Sequence, residues 1–144
     1  MEEQQHFWNG IALILFIVFG ALSVVVIARY GTTDFSTLGF FDLTLLGLAT
    51  FRLIHLLTYD KMFAAVRVSF MDGRGKTLRK AAGGWRRLVC ELLECLWCTG
   101  MWSSLFAVTI YCLGSWGRLA IIVLAVAGLG SLFQIASKAL AEAH

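Results

Sequence analysis

Four apolar blocks set the terms on which this chain can fold. They cover residues 11–27, 40–57, 96–113 and 119–136, and each is 17 or 18 residues long. A helix needs ~20 residues to cross ~30 Å of hydrocarbon, with ~17 as the lower limit. Each block is therefore predicted to be a transmembrane helix. The 144 residues are 59% hydrophobic and 15% charged, where a soluble domain would carry about 25% charge. Little chain is left over for a soluble unit. The expected fold is all-α, a single membrane domain over 1–144 built as a four-helix integral membrane bundle. The opening Met1-Glu2-Glu3-Gln4-Gln5 is acidic, where a secretory signal begins with positive charge. Block 11–27 is accordingly read as a retained helix, with Trp8 and Tyr30 as its interface anchors.

The cations suggest an orientation. Of twelve Lys and Arg, eight fall between Thr58 and Cys95: Lys61, Arg67, Arg74, Lys76, Arg79, Lys80, Arg86 and Arg87. Basic connections stay in the cytoplasm, so segment 58–95 is expected there, with both termini. The expected location is a cell membrane crossed several times. The local positive charge sets topology and suits anionic lipid headgroups better than nucleic acid. Within the segment, residues 60–70 place Phe63, Val66 and Phe70 on one helical side. Gly73-Arg74-Gly75-Lys76 reads as a turn. Trp85, Leu88, Val89, Leu92 and Leu96 recur at helical steps opposite Arg86, Arg87, Glu91 and Glu94. The segment is predicted to be an amphipathic helical hairpin at the interface.

Polar residues inside the blocks are the candidate functional ones. Asp42, Thr44, Thr50, Arg52 and His55 interrupt block 40–57. Arg52 either snorkels to headgroups or pairs with Asp60, Glu91 or Glu94. His55, three residues on, shares its face and is expected to be a packing residue before a ligand. In block 119–136, Ala127, Ser131 and Gln134, with Lys138 beyond, are spaced by four, three and four. Gly128 and Gly130 lie beside them. Such small and polar faces serve helix packing, within one chain or between subunits, or line a wet pore.

Cys95-Leu96-Trp97-Cys98-Thr99-Gly100-Met101-Trp102 is the densest motif. Cys95 and Cys98 share a helix face, and Cys90 precedes them by five residues. Three uses stay open. A thiol-redox pair would need one sulfur with a lowered pKa. A zinc site would draw on Cys90, Cys95 and Cys98, with His55 as a fourth ligand. Structural zinc usually takes two paired clusters, so a site shared between chains fits better. The third use is packing of small, apolar thiols at a helix junction. Trp97 and Trp102 suit the bilayer interface, and Gly100 would allow close helix contact.

Together with Leu48-Ala49-Thr50-Phe51-Arg52-Leu53, which runs on through Tyr59-Asp60-Lys61 to Arg67, this motif resembles the bacterial membrane proteins grouped as domain of unknown function 1360. That family includes spore-associated members. The resemblance spans roughly residues 40–132 and leaves block 11–27 outside. It implies a small multi-spanning membrane protein and no established activity. Members typically read Cys-Pro-Trp-Cys, then a residue, glycine, a residue and tryptophan. Here Leu96 stands where proline is usual, which removes a fixed φ and would let the amphipathic helix run unbroken into block 96–113. It also weakens an inherited redox role.

With no recognisable catalytic set, the leading expectation is a non-enzymatic membrane assembly of several copies: a scaffold, a channel or a lysis-type pore. A thiol- or metal-dependent enzyme or sensor at Cys95 and Cys98 is the alternative. A small transporter using Asp42, Arg52, His55 and Gln134 is the third.

Overall fold

The computed structural model describes residues 2–32, 35–72, 79–80 and 84–142. Helix α1 spans Glu2–Tyr30, α2 Phe40–Thr58, α3 Ala64–Ser69, α4 Gly84–Glu94, α5 Leu96–Cys112 and α6 Ser115–Glu142, with single 3-10 turns at Phe35–Thr37 and Lys61–Phe63. A two-residue antiparallel ladder pairs β1, Met71–Asp72, with β2, Arg79–Lys80. The turn expected at 73–76 lies outside the described residues. The architecture is otherwise helical.

Among the described residues, three helices are long and apolar enough to cross a membrane: α1 over His6–Tyr30, α2 and α6. Only 11%, 11% and 17% of their apolar windows are buried inside the chain. Their outward surfaces therefore need an apolar solvent, because water would be left in contact with Leu13, Val24, Val126 and Phe133. The third expected span is not one straight helix. α4 and α5 meet at 88° across Cys95, so they count as a fourth span only if the bent pair crosses as a unit. This corrects the expectation that Leu96, in place of proline, lets the amphipathic helix continue. Cys95 takes an extended conformation (φ −82°, ψ 99°) and caps α5. The backbone turns because the elbow supplies new partners for the groups it frees. Cys98 N–H donates to the Cys95 sulfur at 3.3 Å, and the Thr99 hydroxyl donates to the Leu92 carbonyl at 2.7 Å. An elbow whose end groups are satisfied needs no proline to hold it.

Side-chain meetings fix the helix directions. Tyr111 meets Asp42 at one end of α2, and Gly100 faces Ile54 near the other, so α5 runs against α2. Leu48 faces Gly128 and Arg52 reaches Ser131, so α6 runs with α2. Phe16 meets Trp102 and Thr32 N–H reaches the Cys112 carbonyl, so α1 runs with α5. The starts of α1 and α5 and the ends of α2 and α6 thus share one end of the bundle with segment 58–95, the basic end.

The core lies among α2, α5 and α6: Leu46, Ala49, Ala107, Tyr111, Cys112, Ile121 and Ala125. Ala49, Ala107 and Ala125 are at most 1% exposed, and such small side chains let helix axes approach. Gly128 extends this line. A Cβ there would sit 2.4 Å from the Leu48 carbonyl oxygen, so only glycine admits α2 at that distance. At the opposite end, the tight α5–α6 turn uses Gly114 at φ +119°, a backbone region that L side chains avoid. Helix α1 stands outside this core and rests on α4 and α5.

Candidate functional site at the basic end

The basic end gathers most of the residues singled out from the sequence, in three groups. The first is an ion pair. Arg52 Nη2 lies 2.9 Å from Asp60 Oδ2, and Arg52 Nη1 donates to Ser131 Oγ at 3.0 Å. Ser131 in turn donates to the Ala127 carbonyl. The two charged side chains retain 24% and 29% exposure. Asp60 also stands at the N-terminal boundary of the 3-10 turn that leads into α3, without a side-chain capping bond. Arg52 thereby joins the end of α2, the start of the hairpin and α6. Of its possible partners, the structure chooses Asp60. His55 stacks between Phe51 and Tyr59, with centroids at 4.8 and 5.0 Å. Arg67 lies in α3, and its side chain falls outside the described part.

The second group is the hairpin anchor. Arg86 donates to the Ser69 and Met71 carbonyls, and Trp85 packs edge-on against Phe70. The buried Cys90 thiol donates to the Phe70 carbonyl at 3.3 Å. Cys90 therefore points into the α3–α4 junction.

The third group is the thiol pair. The Cys98 thiol donates to the Cys95 sulfur, 2.7 Å away, and both cysteines are half-buried. The Cys95 sulfur also accepts from the backbone N–H of Cys98 at 3.3 Å. Cys95 thus sits at the start of α5, where backbone N–H groups point outward. Neither Cys90 nor His55 joins the pair. Among the described residues no group of three His, Cys, Asp or Glu side chains is placed to hold a metal ion. Trp97 is 88% exposed. Trp102 turns inward instead, edge-on to Phe16 at 5.1 Å and against Phe19. Gly100 brings α5 against Ile54 of α2.

On α6 the buried stripe is Ile121, Ala125 and Gly128. Ala127, Gly130 and Gln134 are exposed, and Ser131 lies between the two surfaces.

Three residues escaped the sequence reading. Thr99 closes the elbow. Tyr111 and Arg118 form the polar group at the opposite end. The Tyr111 hydroxyl donates to Asp42 Oδ1, and the Arg118 guanidinium sits 5.3 Å over the Tyr111 ring. Asp42 also reaches back to the N–H of Gly39 at 2.9 Å, capping α2. A carboxylate inside an apolar block signals that such a partner must exist, but nothing in spacing identifies Tyr111.

These features define a helical protein with helices long and apolar enough to cross a membrane, a small-residue core and a dithiol elbow. The match to known proteins is narrower. Residues 45–137 fit the family described as Protein of unknown function (DUF1360), and the chain belongs to that family. Sporulation protein YjcA of Bacillus subtilis (strain 168) is 35% identical over 111 residues, covering 69% of this chain and 94% of that protein. No solved structure matches. The family match begins inside α2 and ends inside α6, so it contains the core and the elbow and omits α1.

Proposed function

We propose that this chain is a multi-pass protein of a bacterial cell membrane, with four spans and both termini and the basic hairpin in the cytoplasm. In this reading it works by assembly with copies of itself, as a scaffold or channel. The name of its relative makes spore formation the setting in which to look for it.

The observation that carries the assembly is the outward face of α6. Ala127, Gly130 and Gln134 are exposed on α6, off its buried stripe, and a Cβ at Gly130 would meet nothing within 4 Å. A glutamine facing hydrocarbon needs a hydrogen-bonding partner. A second copy offers the same amide, and the small residues beside it let two helices come close.

The test is the mass of the particle in lipid nanodiscs, read by light scattering. The expected result is a dimer or larger species that Gly130→Leu and Gln134→Leu convert to monomer, each without loss of the folded chain. A wild-type chain that is strictly monomeric in lipid would contradict the assembly.

A further inference from the structure

Between α1, α4 and α5, at the level of the elbow, lies a cavity of about 400 Å³. That is within the usual ~300–1,000 Å³ range of small-molecule sites. Its walls are mainly apolar, from Leu13, Phe16, Leu92, Met101 and Trp102, and both Cys95 and Cys98 line it. The polar groups on its lining include Asn9 of α1 and Glu91 of α4. Three features coincide here. The two sulfurs are in mutual contact. They face an apolar space of ligand size. That space is bounded by α1, whose own surface calls for lipid.

We propose that Cys95 and Cys98 are a reversible dithiol–disulfide couple that exchanges two electrons with a lipid-soluble quinone seated in this cavity. The chemistry of the space selects the partner. A peptide disulfide would lay polar backbone against a mainly apolar wall, a poorer match than an apolar ring. A quinone is flat and apolar over its rings, and carries an oxygen to which the Asn9 side-chain amide can donate; once reduced, a hydroquinone O–H can donate to the Glu91 carboxylate, which also accepts from Arg87. The aromatic wall of Trp102 and Phe16 suits a planar ring. In the oxidising direction both S–H bonds break and one S–S bond forms between Cys95 and Cys98. The two electrons pass to the quinone, and the two protons end on its oxygens as hydroquinone. Cys95, at the N-terminus of α5, is the sulfur placed to react first, and Cys98 resolves it. Cys90 takes no part, because its thiol is committed to the Phe70 carbonyl.

The proposal rests on the membrane placement above, and its test separates the two. The reduced protein is reconstituted in lipid nanodiscs and mixed with a decyl-substituted benzoquinone. Quinone absorbance is followed, and free thiols are mapped by maleimide labelling and mass spectrometry. One quinone should be consumed per chain, Cys95 and Cys98 should join, and Cys90 and Cys112 should remain free. Cys95→Ser and Cys98→Ser should each abolish the reaction. Ala12 of α1 also lines the cavity, so Ala12→Trp would fill it while leaving both cysteines in the sequence. It should slow quinone reduction by about tenfold or more, a loss of about 1.4 kcal/mol in barrier terms. Oxidation of the same variant by water-soluble diamide should be unchanged, and Cys112, fully buried in the core, should stay closed to maleimide, which shows that it is folded. A pair that closes with diamide but consumes no quinone would overturn the proposal, as would a quinone rate indifferent to Ala12→Trp. Closure faster with glutathione disulfide than with quinone would overturn it too, by pointing to a hydrophilic partner. A chain that fails to enter the nanodiscs would refute the placement instead.

Discussion

Helix α1 and the α2–α5–α6 core are both apolar, yet they are held by different means. In the core, Ala49, Ala107, Ala125 and Gly128 remove side-chain bulk so that backbones nearly touch. In a bilayer, lipid tails are as apolar as leucine. Close packing and a few polar contacts then replace the hydrophobic effect as the force between helices. Helix α1 has small residues toward α5 midway along its length, at Gly20, which faces Leu105, and at the buried Ser23, but large ones beside the elbow. It leans on α5 through Phe16 and Phe19 against Trp102, and large side chains meeting at an angle leave space between them. The cavity beside the thiols is that space. The family match follows the same division, covering the core and omitting α1. Close packing makes the bundle, and looser packing makes room for a ligand.

Three substitutions sharpen this contrast. Gly128→Leu should have the largest effect. Its Cβ would meet a backbone carbonyl that cannot rotate away, so α2 and α6 must separate, at a cost of about 3 kcal/mol or more. Thermal unfolding followed by a thiol-reactive dye should show Cys112, fully buried in the core, becoming reactive at lower temperature. Trp102→Ala should have a smaller and local effect of about 2 kcal/mol, below the ~3–5 kcal/mol of a fully buried aromatic. Hydrogen exchange should quicken in α1 while α2 and α6 keep their protection. Uniform quickening across all of them would erase the distinction drawn here. Ser103→Ala should change stability by less than about 0.5 kcal/mol. Ser103 Oγ is buried and finds no partner among the described residues, so removing it sacrifices no bond and can even help.

Much of this architecture was legible in the sequence. The apolar blocks located the long helices, because hydrocarbon thickness imposes a length that composition reveals. The elbow was not legible. Leu96 in place of proline suggested continuity, yet the turn depends on Cys95 and Thr99 bonding to backbone groups that periodicity does not register. The α6 stripe was legible only in kind. Ala127, Ser131 and Gln134 form a regular small-and-polar row, but Gly128 one position away makes the close contact with α2. The angular difference between neighbouring stripes is settled by the partner helix, and a single chain's spacing does not contain it. Arg52 announced itself as a charge in need of a partner. Its choice of Asp60 over Glu91 or Glu94 followed from where α2 ends and the 3-10 turn begins.

The membrane bundle is tested most directly by which side of the membrane its two ends occupy. Reporter fusions joined after Thr37, Lys76, Gly114 and Glu142 measure this in living cells. A phosphatase active only when exported should work at Thr37 and Gly114 and stay silent at Lys76 and Glu142. A fluorescent protein that folds only in the cytoplasm should give the reverse. An exported, active phosphatase at Lys76, or a chain recovered in the soluble fraction without detergent, would contradict the membrane bundle and the orientation that follows from it.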